Sequence, residues 1–114
     1  MRRKKNDADE DLIESSGNVF ADLGLPNADA LLVKANLMHA INQEIAKRGL
    51  TQQEAATLAN VTQPDISRIV RGKMDAFSQE RLIDVLRRLG VDIEIGFHRR
   101  SNGGLGTLRV RESA

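Results

Sequence analysis

The chain has 114 residues, 40% hydrophobic and 29% charged, with a formal net charge of +1, which suits one small domain with a modest core. Cysteine is absent and Phe20, Phe77 and Phe97 are the only aromatics, which excludes disulfides and thiolate metal sites and calls for an aliphatic, alanine-rich core. No apolar run is long enough to cross a membrane, and the cations Arg2, Arg3, Lys4 and Lys5 lead into acids rather than an apolar stretch, which excludes a secretory signal and makes the cytoplasm the expected compartment.

Residues 1 to 16 are dense in charge and nearly free of apolar side chains, so they are expected to be a disordered tail. Residues 17 to 30 hold a small apolar cluster, Val19, Phe20, Leu23 and Leu25, ending at Pro26. It reads either as a helical turn packed on the domain or as a docking segment for a partner, and internal packing is the simpler reading. A helix-turn-helix domain is expected over residues 31 to 90. Its first helix starts after Asn27 or Asp29 and runs to about Arg48, because Leu37, Ile41 and Ile45 recur every four residues beside Leu31, Ala35 and Met38. Gly49 ends it.

Two short helices follow, each with its own start signal. Thr51 precedes Glu54 by three residues, and Thr62 precedes Asp65 by three. Each pair is a capping box, in which the hydroxyl accepts from an orphan amide and the acid reaches back. Pro64 sits where a missing N–H costs nothing. Asn60 ends the first of these helices, as a residue that tolerates the left-handed conformation. Gly72 ends the second. Only a three- or four-residue turn fits between them. Ala55, Ala59, Val61, Ile66, Ile69 and Val70 are the expected contacts where the two helices cross.

Ser78 caps a further helix from about Gln79 to Leu89, with Leu82, Val85, Leu86 and Leu89 on its buried face and Gly90 at its end. Four or five helices are therefore expected. The period then changes. Val91, Ile93, Ile95 and Phe97 alternate with Asp92, Glu94, Gly96 and His98, which predicts a β-strand over residues 91 to 100. A lone strand needs a partner for its backbone. The favoured partner is the same strand of a second copy, paired about a two-fold axis. The alternative is internal, because Asn102-Gly103 is a turn signal and Leu108 and Val110 alternate beyond it. Residues 101 to 114 are thus a flexible tail or a weak hairpin.

The second short helix turns Pro64, Ser67, Arg68 and Arg71 away from its apolar face, with Gln63 at the leading end. Glutamine can hold an adenine edge by two hydrogen bonds, and arginine a guanine edge. Serine and helix N-terminal amides suit phosphate. The same residues would also be ordinary on a solvated helix face. Charge is uneven: residues 1 to 30 hold four cations and seven acids, and residues 31 to 114 hold thirteen cations and nine acids. The folded part is mildly basic, so DNA binding would rest on a few phosphate contacts and on two copies acting together. His39 and His98 are the only histidines, and no acid–histidine–nucleophile arrangement accompanies them. No enzyme activity, cofactor or metal is expected.

The run from Asn36 to Leu89 resembles the helix-turn-helix domain of the phage repressor (Cro/C1-type, or XRE) family. The family's alanine, turn glycine and recognition-helix aliphatic residue correspond to Ala56, Asn60 and Ile66, with asparagine in place of glycine. Gly17 to Gly24, Gly49 to Gln52, Gln63-Pro64 and Phe77 to Leu82 together resemble HigA-like antitoxins of type II toxin–antitoxin modules, over about residues 17 to 97. The resemblance implies a mainly α, lambda-repressor-like bundle that dimerises through a C-terminal strand. It implies a sequence-specific repressor of an operator in double-stranded DNA. It further implies an antitoxin that autoregulates its operon and neutralises a RelE/HigB-like ribonuclease toxin. The alternative is a stand-alone or phage-type regulator with no toxin partner. The expected base contacts are Gln63, Pro64, Ser67 and Arg68. The expected phosphate contacts are Thr51, Gln52, Thr62, Arg71 and Lys73, although capping alone accounts for the two threonines. Val91, Ile93, Ile95 and Phe97 are the expected dimer contacts.

Overall fold

A computed structural model of the chain describes residues 18–112. The tail expected over residues 1 to 16 lies outside the described residues. The elements, in order, are α1 (Val19–Asp22), α2 (Ala28–Lys47), α3 (Gln52–Ala59), α4 (Gln63–Val70), a single 3-10 turn (Met74–Ala76) and α5 (Gln79–Arg88). The chain divides into two compact units, the first ending at Leu32 and the second beginning at Val33.

In the first unit, Asn18 is the N-cap of α1. Its side-chain oxygen accepts from the amides of Phe20 and Ala21 at 3.0 and 3.1 Å, which satisfies two donors the short helix cannot pair itself. Its side-chain nitrogen donates to Asp29 Oδ1 at 3.2 Å. The apolar cluster is therefore a capped turn, and Val19, Leu23 and Leu25 remain exposed on it.

The second unit holds the main core. Helix α2 continues into it and buries Val33, Leu37, Ile41 and Ile45 at four-residue spacing, with Met38 beside them. Helix α3 packs against both α4 and α5. Ala55, Ala56 and Ala59 of α3 are buried at these contacts, where small side chains permit close approach of the axes. Ile66 and Ile69 of α4, and Leu82, Val85 and Leu86 of α5, complete the centre with Leu89 and Phe77. Full burial of a side chain of this size stabilises by roughly 1.5–3 kcal/mol.

Two long polar side chains tie the ends of elements. Arg48 Nη1 donates to the carbonyl of Leu89 at 2.6 Å, occupying an acceptor left free at the end of α5. Lys34 Nζ donates to the carbonyl of Met74 at 3.3 Å.

Two expectations need correction. Val70 is 41% exposed rather than buried, because it lies toward the flank of α4 and Ile66 and Ile69 alone face the core. The C-terminal strand does not form: the described residues contain no β-strand, and residues 91–100 run without regular structure. Of the expected alternation of Val91, Ile93, Ile95 and Phe97, only the first two positions are partly buried. Val91 and Ile93 pack against the core, while Ile95 and Phe97 are 75% and 96% exposed. The Val91 amide donates to the Leu86 carbonyl at 3.0 Å, but among the described residues no strand ladder holds this backbone. No strand is present on either side of Asn102-Gly103 among the described residues. An unpaired extended segment lacks the ladder that defines a strand.

Candidate nucleic-acid interface

Both capping boxes predicted for the motif are present. Thr51 Oγ1 accepts from the Glu54 amide at 3.0 Å, and Glu54 Oε1 accepts from the Thr51 amide at 2.8 Å. Thr62 and Asp65 repeat this at 3.1 and 3.4 Å. Each cap is worth about 1 kcal/mol. Asn60 carries the turn between them at φ 58, ψ 44, the left-handed conformation that glycine supplies more cheaply. These local choices fix the angle at which α4 leaves α3.

The N-termini of α3 and α4 come together on one side of the molecule. Gln63 Nε2 donates to Gln52 Oε1 at 2.6 Å. This bond joins a residue singled out for base contact to one singled out for phosphate contact. It leaves the Gln63 carbonyl oxygen and one Gln52 amino group as the ends of a two-residue unit.

Along α4, Gln63, Pro64, Arg68 and Arg71 are exposed and Ser67 is half-buried. They share the face opposite Ile66 and Ile69. Arg71 Nε donates to the Ser67 carbonyl at 3.4 Å, which lays its side chain back along the helix. Lys73 is exposed just beyond Gly72, where the chain turns and the Lys73 amide donates to the Arg68 carbonyl at 3.0 Å. Thr51 and Thr62 are exposed, but their hydroxyls are committed to the caps.

One connection has no local signal in the sequence. Asp65, at the third position of α4, accepts from Arg68 Nη1 at 3.0 Å through Oδ1 and from Arg81 Nη2 at 3.2 Å through Oδ2. The Asp65 side chain is 15% exposed, whereas the two arginines are about half exposed. Burial works to raise the Asp65 pKa. The hydrogen bonds from Thr62 and the charges of Arg81 and Arg68 outweigh it, and the carboxyl lies below its ordinary value of 3.8. Arg81 also lies over the Phe77 ring, 5.2 Å from its centroid. Arg68 is thus held by a carboxylate that is itself held from α5. Arg81 is the residue beside this face to which sequence reasoning gave no role, and Val70, expected in the core, is exposed near it. The Phe77–Arg81 spacing of four hints at the stacking, but the Asp65–Arg81 pair spans sixteen positions and is set by packing.

The expected dimer residues lie elsewhere. Val91 and Ile93 support the core, and Ile95 and Phe97 present apolar side chains outward.

The family model of a helix-turn-helix domain matches residues 19–97. The chain belongs to this helix-turn-helix family. A solved structure described as a "putative XRE family transcriptional regulator" is similar to it, at 29% identity and a TM-score of 0.71, with 78% of this chain and 100% of that chain covered. No curated protein matches the chain. No helix among the described residues is long and apolar enough to cross a membrane.

Proposed function

We propose that this helix-turn-helix protein is a DNA-binding transcriptional regulator of the XRE type, acting as a repressor rather than an enzyme. The observation that carries the reading is the outward face of α4, with Gln63 buttressed by Gln52 at 2.6 Å. A glutamine held at a helix N-terminus is prepared to meet an adenine edge in the major groove, where such helices dock. Ser67 and Arg68 follow one turn along, and Pro64 offers an apolar surface to a thymine methyl. Gln52, Arg71 and Lys73 surround this strip with phosphate-binding groups, assisted by the amides near Thr51 and Thr62.

The reading includes a homodimer. Its support is the alternation of Val91, Ile93, Ile95 and Phe97, with the last two exposed. Pairing these segments between two copies would supply the missing backbone partners and cover both side chains. It would also place two α4 helices on one palindromic site.

A second reading adds neutralisation of a ribonuclease toxin. It rests on the sequence resemblance to HigA-like antitoxins, and a neighbouring gene for a small basic ribonuclease that co-purifies with the chain is the finding it requires.

The test of the main reading is a titration of labelled DNA taken from directly upstream of the protein's own gene. The protein should bind it at least about 1,000-fold more tightly than an unrelated duplex of equal length at the same salt, the lower end of the range for specific regulators. Equal affinity for both duplexes contradicts the proposal.

A further inference from the structure

Residues 94–109 form sixteen consecutive exposed positions without helix or strand. The segment is not a free end. Ile93 packs against the core on one side of it and Val110 on the other, and Val110 lies with Glu112 beside Asn36 and His39 of α2. It is therefore a long surface loop pinned at both ends. Structureless loops of this length are uncommon in compact domains and are usually either functional or linkers, and a segment pinned to the core at both ends links nothing.

Its charge is the second observation. Residues 33–94 hold nine lysines and arginines against eight acids, so the helical body is close to neutral. Residues 95–112 hold Arg99, Arg100, Arg109 and Arg111 against Glu112 alone. Most of the positive excess of the folded part thus lies in this loop and its exit, not on the helix-turn-helix. Among the described residues, none of the four arginines pairs with a carboxylate. Arg100 Nε donates to the Gly103 carbonyl at 2.9 Å, which closes the tip of the loop. Gly103 and Gly104 there have φ of 67 and 80, a conformation that keeps the tip narrow and free of side chains.

We propose that this loop is a second DNA contact, a guanidinium-bearing clamp on the phosphate backbone outside the base pairs met by α4. The inference rests on the DNA-binding reading above. Arginine forks match phosphate oxygens in pairs. Extended chain covers about 3.3–3.6 Å per residue, so the part of the pinned loop beyond Phe97 has the length to follow a strand of the duplex. A body with almost no net charge gains its sequence-independent affinity from the loop, while α4 supplies discrimination.

The experiment compares the full-length wild type with the quadruple variant R99Q/R100Q/R109Q/R111Q. Each is titrated on the upstream duplex and on an unrelated duplex from 50 to 200 mM salt. Each phosphate contact contributes about 0.9 to the slope of log K against log salt. The variant should lose about 2–3.6 from that slope on both duplexes and keep the wild-type ratio between them. The charge-retaining variant R99K/R100K/R109K/R111K should keep most of the slope. A quadruple glutamine variant that is folded by circular dichroism and binds with the wild-type slope overturns the clamp, and points to an acidic protein surface as the loop's ligand. Wild-type protein that does not distinguish the two duplexes defeats the parent reading instead, whatever the slopes.

Discussion

Gln52 and Gln63 are eleven residues apart in sequence and 2.6 Å apart in space, with Gln63 donating to Gln52. The bond spans the turn at Asn60 and fixes the side chain that leads α4. On the proposed reading of α4, it makes the first motif helix part of the DNA-facing surface rather than only its support.

That relationship predicts coupling. Gln52→Ala and Gln63→Ala should each weaken binding to the preferred duplex, and the double variant should lose less than the sum. A coupling of about 0.5–3 kcal/mol is expected for residues in direct contact. Losses that add fully would mean that Gln52 binds phosphate without orienting Gln63.

Arg68→Ala should cost about 1–3 kcal/mol of specific binding and relax discrimination at one base pair per half-site. A panel of duplexes mutated at single positions measures this. Uniform weakening across the panel would reassign Arg68 to the phosphate backbone.

Asp65→Asn should change the acid limb of stability. The Asp65 carboxyl is depressed below 3.8, so its contribution is fully present above the unfolded value, about 3.9, and is lost as pH falls through the lower folded value. Thermal unfolding should find the variant less stable than wild type at pH 6, with the gap closing below pH 4. A gap that does not vary with pH would show that the charge on Asp65 contributes nothing to stability.

Asn60→Val should destabilise the fold by about 1–2 kcal/mol, because a β-branched residue is strained at φ 58. Asn60→Gly should be neutral or stabilising by a few tenths. Denaturant midpoints for the two variants decide it, and equal midpoints would remove the turn from the account.

Ile95→Glu should leave a folded monomer that binds the operator far more weakly, since a like charge would face itself across the paired segments. Sedimentation velocity reads the state directly. A variant that remains dimeric places the interface elsewhere.

What the sequence made legible was local. The capping boxes at Thr51 and Thr62, the left-handed Asn60 and the four-residue spacing in α2 are decided within a turn of helix, and the structure holds each where its pattern put it. The misses depend on distant chain. Val70 satisfied the apolar pattern of α4, yet its exposure follows from where α3 and α5 cover that helix. The Asp65–Arg81 pair exists because α5 packs beside α4, which no spacing within either helix announces. The alternation at Val91 to Phe97 predicted a strand that does not form, because a strand is a relation between two backbones and the chain alone supplies one. The Gln52–Gln63 bond lay between these cases: both residues drew notice singly, and only the crossing of α3 and α4 joined them.

The central claim is that the face of α4 reads base sequence. Selection of bound duplexes from a randomised pool, run in parallel with wild type and Arg68→Ala, tests it most directly. The account predicts that wild type enriches a palindrome whose half-sites lie about 10–10.5 base pairs apart, one turn of DNA, or a multiple of that. It predicts that Arg68→Ala enriches the same palindrome with one position per half-site left unspecified. A pool with no enriched sequence, or an identical motif from both proteins, would contradict it.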